Sequence, residues 1–467
     1  MEKETIAAVA TAQGHAGISV IRMSGKQAIA IADKIFKSES GKKLADMPGY
    51  TAKYGKVYSF SNKLDGHKFF VNQELLDEAV ALVFRAPHSY TGENAVEISC
   101  HGGIYVTKQV LHALFQAGAR PAEAGEFTKR AVLNGKIDLT KAEAIMDIIS
   151  AKNKQALKSA ISAREGNLHR EIDRIKSSLC ELAAKLSIWA DYPDEDIVTF
   201  DLEELSKILS TCEQRLKNLI LTYDKGRIIK EGIYTAIIGS PNVGKSTLMN
   251  LLAGWDRSIV TEIAGTTRDI IEETVLLGDL MLRLVDTAGI HEAGDIVEKI
   301  GVNKAREQLK KADLILTVFD NSRSLNKDDI EILNFVKNSA AIAVVNKTDL
   351  PPMLDKNLIQ ESIFSVVEIS STLGLGLDGL KNEIINMANI ANFDPFEAAL
   401  ANERQFYTTK KTFEYIQEAE NALLSGLTLD AVFVSVQCAI ESLCNLTGES
   451  ASEALFNEIF SRFCVGK

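Results

Sequence analysis

The run Gly239-Ser-Pro-Asn-Val-Gly-Lys-Ser246 stands directly behind the apolar stretch Tyr234–Ile238 and constrains this chain more than any other feature. An apolar strand, a GxxxxGK[S/T] turn and an amphipathic start (Thr247, Leu248, Leu251, Leu252) together describe a phosphate-binding P-loop. Gly239 and Gly244 allow a tight turn whose backbone N–H groups point inward at phosphate oxygens. The following helix adds its positive N-terminal end, Lys245 a mobile charge for the outer phosphates, and Ser246 a hydroxyl for Mg²⁺. Such a turn requires a parallel α/β sheet around it.

Strands alternating with helices over 232–390 meet that requirement. Ile271–Leu277, Met281–Val285, Leu314–Phe319, Ala341–Val345 and Ile363–Ile369 read as strands, with helices near Glu298–Lys311, Lys327–Phe335 and Leu377–Met387. The pattern predicts a mostly parallel, doubly wound sheet. Three further motifs fall at strand ends. Asp286-Thr-Ala-Gly289 places a carboxylate for Mg²⁺ and an N–H that senses the γ-phosphate. Asn346-Lys-Thr-Asp349 places a carboxylate that accepts from guanine N1–H and its amino group, a donor pair adenine lacks. Ser370 and Ser371 end the last strand, within reach of the guanine carbonyl. In the switch region, Thr266 or Thr267 completes the Mg²⁺ shell when the γ-phosphate is present. An ATPase is disfavoured by Asp349.

One residue is missing from this set. Ras-like GTPases place a water-orienting glutamine just after DxxG, where this chain has Ile290. Hydrolysis must be arranged by a partner or by another residue and cation, and the acids nearby are Glu292, Asp295 and Glu298.

The 467 residues exceed one core and suggest about three domains. Residues 1–119 read as a compact α/β domain, with strands at Thr5–Ala10, Ile18–Met23, Val57–Phe60, Ala79–Phe84 and Ala95–Cys100 and helices near Lys26–Phe36 and Tyr105–Phe115. Arg22 and Glu97 lie inside apolar strands, facing either solvent or a pocket. The polar stretches His88–Glu93 and His101-Gly-Gly are either a pocket rim or turn chemistry. From 120 to 231 the text is helical. Leu168, Ile172, Ile175, Leu179, Leu182, Leu186 and Trp189 repeat at four and three without a miss, a strict a/d seam. Leu205, Ile208, Leu209, Cys212 and Leu216 mark a second helix. Helical text resumes over 391–467 with Phe406, Phe413 and Ile416, then Val432, Val436, Ala439, Ile440 and Leu443. Thr140-Lys-Ala-Glu143 and Ser450-Ala-Ser-Glu453 read as capping boxes. One helical bundle interrupted by the 232–390 insert accounts for both halves. The fold class expected is multidomain α/β plus all-α.

Net charge is −11, with a basic surplus in the first 120 residues and an acidic one after 231. Bulk charge therefore cannot drive nucleic-acid binding, and any RNA contact needs a local basic surface. Six cysteines without a CxxC pair predict reduced thiols. No apolar run of about 18 residues and no signal-peptide pattern are seen, so no membrane contact and a cytoplasmic location are expected.

With these motifs in place the chain resembles the MnmE (TrmE) family of tRNA wobble-uridine modification GTPases over its whole length. Cys464-Val-Gly-Lys467 fits the family's C-terminal CxGK. The resemblance implies an N-terminal folate-binding and dimerisation domain, a discontinuous helical bundle and an inserted Ras-like P-loop GTPase domain. It implies 5-formyl-tetrahydrofolate at Arg22, Glu97, Lys136 and Lys467, the Asn134–Asp138 stretch being helical and set against the N-terminal domain. It implies K⁺ held by Asn242, Thr261, Ile263 and Thr266, Mg²⁺ held by Ser246 and Thr267, and water oriented by Glu298. Cys464 matches a cysteine implicated in the tRNA chemistry. GTP is then expected on Asn242, Val243, Gly244, Lys245, Ser246 and Thr247, and along Thr261, Glu262, Ile263, Ala264, Gly265, Thr266 and Thr267. Asp286, Thr287, Ala288, Gly289, Asn346, Lys347, Thr348, Asp349, Ser370 and Ser371 complete that set. The partners implied are a second copy of the chain, tRNA, and the flavin-dependent MnmG (GidA) in a heterotetramer. The rival expectation is a non-enzymatic RNA-binding switch, which needs neither a folate pocket nor a CxGK tail.

Overall fold

The computed structural model describes residues 4–65, 68–191, 202–254, 272–278, 280–286, 309, 311–388 and 394–466; at 60–72, 189–191, 272–273 and 286 the description is of backbone alone. The chain forms two compact units, one of residues 1–146 with 444–467 and one of residues 147–443.

The first unit is built on a seven-stranded sheet. Its strands are β1 (Ile6–Val9), β2 (Ile18–Ser24), β3 (Phe36–Ser38), β4 (Thr51–Asp65), β5 (Lys68–Phe84), β6 (Ala95–His101) and β7 (Arg120–Pro121). They lie in the order β3-β4-β5-β6-β2-β1-β7, antiparallel except for β1 with β7. Period-two alternation sorts the side chains. Ile21, Met23, Val96 and Ile98 pack on one face under α1 (Ala28–Ile35) and α2 (Ile104–Ala117). Ile6 and Ala8 turn to the other face and meet Phe127 of α3 (Glu126–Leu133). The β4–β5 hairpin runs well beyond the expected Val57–Phe60 and Ala79–Phe84 segments, with a register shift at Val57/Tyr58. Its outer part is too polar to show a strand's apolar signature.

Helix α4 (Leu139–Ser150) packs Leu139 and Ala142 against Phe456, Phe460 and Phe463 of the C-terminal segment, which includes α14 (Glu453–Ser461). Two caps differ from expectation. Asp138 Oδ1 accepts from Lys141 N at 3.0 Å, so Thr140 lies within α4 rather than at its cap. Ser452, not Ser450, caps α14 through Leu455 N at 3.3 Å. In both cases a second oxygen-bearing side chain two residues away sits where the chain enters the helix.

The second unit contains bundle helices α5 (Lys154–Arg164), α6 (Asn167–Asp191), α7 (Leu202–Glu231), α12 (Glu403–Leu424) and most of α13 (Leu429–Thr447). The a/d seam is realised on α6: Leu168, Ile172, Ile175, Leu179, Leu182 and Leu186 are each 2% exposed or less. The seam of α12 is different. Gln405, Thr409, Thr412, Ile416 and Ala419 are buried, while Phe406 and Phe413 are only half-buried. Thr412 Oγ1 donates to Thr408 O at 2.9 Å and to Ser442 Oγ at 2.8 Å, so this seam is joined by hydroxyls that read as polar in the sequence. By length and composition α13 could cross a membrane, with mean hydropathy 1.4, contrary to the expectation from apolar runs. Its buried Val432, Val436, Ala439 and Leu443 form one stripe along the helix.

Helix α7 leads through Gly232 into the second sheet: β8 (Ile233–Ile238), β9 (Glu272–Leu277), β10 (Leu280–Asp286), β11 (Leu314–Asp320), β12 (Ala341–Asn346) and β13 (Ser365–Glu368). The order is β13-β12-β11-β8-β10-β9, parallel except for β9. This is the doubly wound sheet expected. Helices α8 (Lys245–Gly254), α9 (Lys327–Val336), α10 (Lys356–Gln360) and α11 (Leu377–Met387) complete it among the described residues. At the junction Arg227 of α7 donates to both Asp313 oxygens, at 2.6 and 3.3 Å, and Asp313 also accepts from Tyr234 N.

Glu126 gives the first unit a measurable acid sensitivity. Burial pushes this carboxyl up, but hydrogen bonds from Arg120, Glu123 N and Arg130 outweigh it and hold it at about 2. A carboxyl lowered on folding stabilises above its unfolded value and loses that contribution as pH falls. The loss spans the ordinary value of 4.5 down to about 2. Glu126→Gln is therefore expected to flatten the acid limb of a stability-versus-pH curve in that window, the full contribution being about 3 kcal/mol.

Candidate nucleotide and one-carbon sites

The nucleotide motifs converge at the C-terminal edge of the second sheet, the edge at which open parallel sheets bind ligands. Strand β8 delivers the P-loop and α8 carries it away. Lys245 Nζ donates to Gly239 O at 2.8 Å and Ser240 O at 2.9 Å, closing the loop on itself. Ser246 and Thr247 are exposed at the start of α8.

Asn346, ending β12, is buried and joins two loops to its own. Its Nδ2 donates to Val243 O at 3.0 Å and its Oδ1 accepts from Ser371 N at 3.0 Å. Lys347 follows in the left-handed region, with φ 63°. Its Nζ donates to Asn242 O at 2.8 Å and to Asp320 Oδ2 at 2.6 Å. Asn242 is itself left-handed, φ 61°, a conformation asparagine tolerates better than most residues. Asp320, the last residue of β11, was not singled out by motif. The signal was its place, since Asp286 and Asn346 likewise end strands of the same sheet. Burial raises the Asp320 carboxyl, but Lys347 and Ser322 outweigh it and hold it below the usual range.

The base side is formed by Asp349 and the two serines. Ser370 Oγ donates to Asp349 Oδ1 at 2.6 Å, orienting an exposed carboxylate. Thr348 N donates to Ile369 O at 3.2 Å. Ser371 Oγ is buried and has no hydrogen-bond partner among the described residues. An unsatisfied buried hydroxyl beside a carboxylate fits a polar base completing the pocket. Of Asp286 the backbone alone is described, paired with Ile237. Thr261, Glu262, Ile263, Ala264, Gly265, Thr266, Thr267, Thr287, Ala288, Gly289 and Glu298 lie outside the described residues, as does Lys467.

A second constellation lies in the first unit. Arg22 on β2 and Glu97 on β6 are cross-strand partners, with Arg22 Nε donating to Glu97 Oε1 at 2.8 Å. They face away from the α1/α2 core, and each is 23% exposed. The Arg22 guanidinium lies 5.7 Å from the Tyr90 ring and 5.9 Å from the Phe127 ring. The tail reaches the same face: Gly125 N donates to Cys464 O, Val465 pairs with Ala124, and Arg22 Nη1 donates to Gly466 O at 3.4 Å. Gly466 has φ 98°, and a Cβ there would sit 2.3 Å from Val9 O, so only glycine fits. The Cys464 thiol is exposed. Lys136 donates to Pro87 O at 3.1 Å and Asn134 to Thr91 O at 2.7 Å. The stretch expected to be helical here is instead the turn between α3 and α4. Tyr90 lies in the His88–Glu93 stretch read as either a pocket rim or turn chemistry, whereas Phe127 escaped sequence reasoning, because an aromatic in a helix of low hydrophobicity carries no periodic signal.

A strand-borne P-loop, the Asn346–Asp349 loop and Ser370–Ser371 on one sheet edge fit a GTP-hydrolysing P-loop protein that takes GTP with Mg²⁺. Comparison with known proteins narrows this. The TrmE N-terminal domain family matches residues 5–136 and the MnmE helical domain family residues 139–464. The tRNA modification GTPase MnmE of Natranaerobius thermophilus is 40% identical over 473 residues, covering 100% of both chains. That of Lachnoclostridium phytofermentans is 41% identical over 485 residues, again covering 100% of both, and that of Alkaliphilus metalliredigens 39% over 467, covering 99% of each. The chain belongs to the MnmE family.

Gly244 tests the geometry of the nucleotide site. Its φ is 98°, and a Cβ would stand 2.3 Å from Asn346 Nδ2. Gly244→Ala is expected to weaken GDP binding by at least about tenfold in an equilibrium titration, through strain and the displaced Asn346 contact. Binding within twofold of wild type would refute the packing described.

Proposed function

We propose that this chain is a cytoplasmic, homodimeric, K⁺-activated GTPase that acts in tRNA modification. With a flavin-dependent partner of the MnmG kind, it places an aminomethyl or carboxymethylaminomethyl group on C5 of the wobble uridine. The one-carbon unit derives from 5-formyl-tetrahydrofolate. The observation that carries this reading is the gathering of Arg22, Glu97 and the Cys464–Gly466 tail on one face of the first unit, in a chain that also holds a guanine-selective P-loop.

The residues present suit the carrier. A pterin offers an amino group and ring N–H that a carboxylate such as Glu97 accepts. A polyanionic glutamate tail calls for cations, which Arg22, Lys136 and Lys467 supply. The Tyr90 and Phe127 rings add apolar walls beside the guanidinium. Glu97, now paired with Arg22, would share its oxygens with the ligand, so binding exchanges one ion pair for a set of hydrogen bonds. Cys464 stands exposed at this face as the thiol for the tRNA step.

In the nucleotide site, Ser246 and Thr267 would hold Mg²⁺, and Asn242, Thr261, Ile263 and Thr266 would hold K⁺. A monovalent cation beside the phosphates supplies positive charge where negative charge develops during phosphoryl transfer, the part an arginine finger plays elsewhere. Asn242 suits that duty because Lys347 grips its carbonyl and leaves its side chain to point from a fixed backbone. Glu298 orients the attacking water in place of the missing glutamine. Asp349 and Ser371 select the base.

Two measurements test the reading. Equilibrium binding of 5-formyl-tetrahydrofolate is expected for the wild type and at least about tenfold weaker for Arg22→Ala, which loses a charge-assisted contact; absence of binding to the wild type would favour a non-enzymatic switch. GTP turnover is expected to be faster in K⁺ than in Na⁺. In K⁺, Glu298→Ala should lower kcat by about 100-fold or more while GTP affinity stays within a few-fold. Equal turnover of that variant would remove Glu298 from its role.

A further inference from the structure

Ser240, the second residue of the P-loop, is 2% exposed. Its hydroxyl donates to Asp329 Oδ1 and makes a longer contact to Asn326 Oδ1 at 3.4 Å. Asp329 is the third residue of α9, far in sequence from every nucleotide motif, and is 1% exposed. Its carboxylate also accepts from Arg323 Nη1 at 2.7 Å, Arg323 Nη2 at 3.3 Å and Asn326 N at 2.9 Å. Burial raises this carboxyl, but the Arg323, Asn326 and Ser240 donors outweigh it and keep it below the usual carboxylate range.

A capping box accounts for part of this, since Asn326 Oδ1 accepts from Asp329 N at 2.8 Å in return. It does not account for the rest. A capping acid can stand in water and has no need of a two-pronged arginine partner or a hydroxyl from the P-loop. The carboxylate here has four donors, and one of them belongs to the loop that holds phosphate.

We propose that Asp329 is a positioning residue of the phosphate cradle: oriented by Arg323, it fixes Ser240 and with it the P-loop backbone before nucleotide arrives. The need follows from Lys245. Its ammonium donates to Ser240 O in the closed loop, and when it turns to the phosphates that carbonyl gives up its charged donor. The Ser240 side chain then remains as the tie. Two residues on, Asn242 is held by Lys347, itself anchored to Asp320. Both anchors thus come from one segment, Asp320–Asp329, which begins at the last residue of β11 and carries none of the motif residues. A loop fixed in advance loses less freedom when it closes around a ligand, so affinity is gained without a direct contact.

The test is a double-mutant cycle on the full chain, reading GDP affinity by equilibrium titration, with thermal unfolding followed separately. Ser240→Ala and Asp329→Asn are each expected to weaken GDP binding by about threefold or more, and the double variant by about the same factor as the more damaging single, because both remove one interaction. A general loss of structure would move the unfolding temperature but would not make the affinity losses non-additive. The proposal is overturned if Ser240→Ala binds GDP within about threefold of wild type, or if the double variant's loss equals the product of the two singles. Should Asp329→Asn fail to fold, Ser240→Ala alone decides.

Discussion

The nucleotide site depends on one buried amide. Asn346 donates to the carbonyl of Val243 and accepts from the amide of Ser371, so the P-loop, the guanine loop and the base strand are joined through a single side chain. Buried amides that use both ends are costly to disturb, because either lost bond leaves an unsatisfied polar group. Lys347 extends the same tie to Asn242 and Asp320. The Asn346–Asp349 loop and the P-loop are therefore not separate in shape. A change in one loop is felt in the other through bonds of about 3 Å.

The first unit reaches comparable definition by other means. Its sheet separates an apolar face under α1 and α2 from a face on which Arg22 and Glu97 pair. That second face is enclosed by parts from distant stretches of chain: α3, the loop bearing Tyr90, and residues 464–466. Buried charge is managed by pairing. Arg130 is held by Glu93 and Glu126, and Arg120 by Glu126 and Glu4. Removing one side of the buried Arg130–Glu126 pair leaves the other uncompensated.

How much of this was legible in the sequence varied with the kind of signal. The P-loop, the strand-end motifs and the α6 seam were legible because spacing alone carries them: glycine at a fixed offset, or apolar residues at alternating four and three. Arg22 and Glu97 were visible as charges inside apolar strands, but their pairing depends on the β2–β6 register, which no local pattern records. The α12 seam was hidden because Thr409, Thr412 and Gln405 are buried where an apolar template expects leucine. Helix caps shifted by two residues because several oxygen-bearing side chains competed for each start. Asp329 belongs to no sequence motif, and only its burial against Ser240 distinguishes it.

The tail carries a consequence for synthesis. Arg22 and the Gly466 carbonyl that it contacts are 444 residues apart, with the helical bundle and the GTPase segment between them. A ribosome makes the N-terminal sheet early, yet the face on which Arg22 opens gains its Gly466 contact only after the bundle and the GTPase segment have been translated. A chain cut between the GTPase segment and Gly466 would keep the nucleotide motifs and lack the tail's contacts with Arg22 and Ala124. Translation order thus separates two sets of contacts in time: the sheet that carries the nucleotide motifs can form before the tail reaches Arg22.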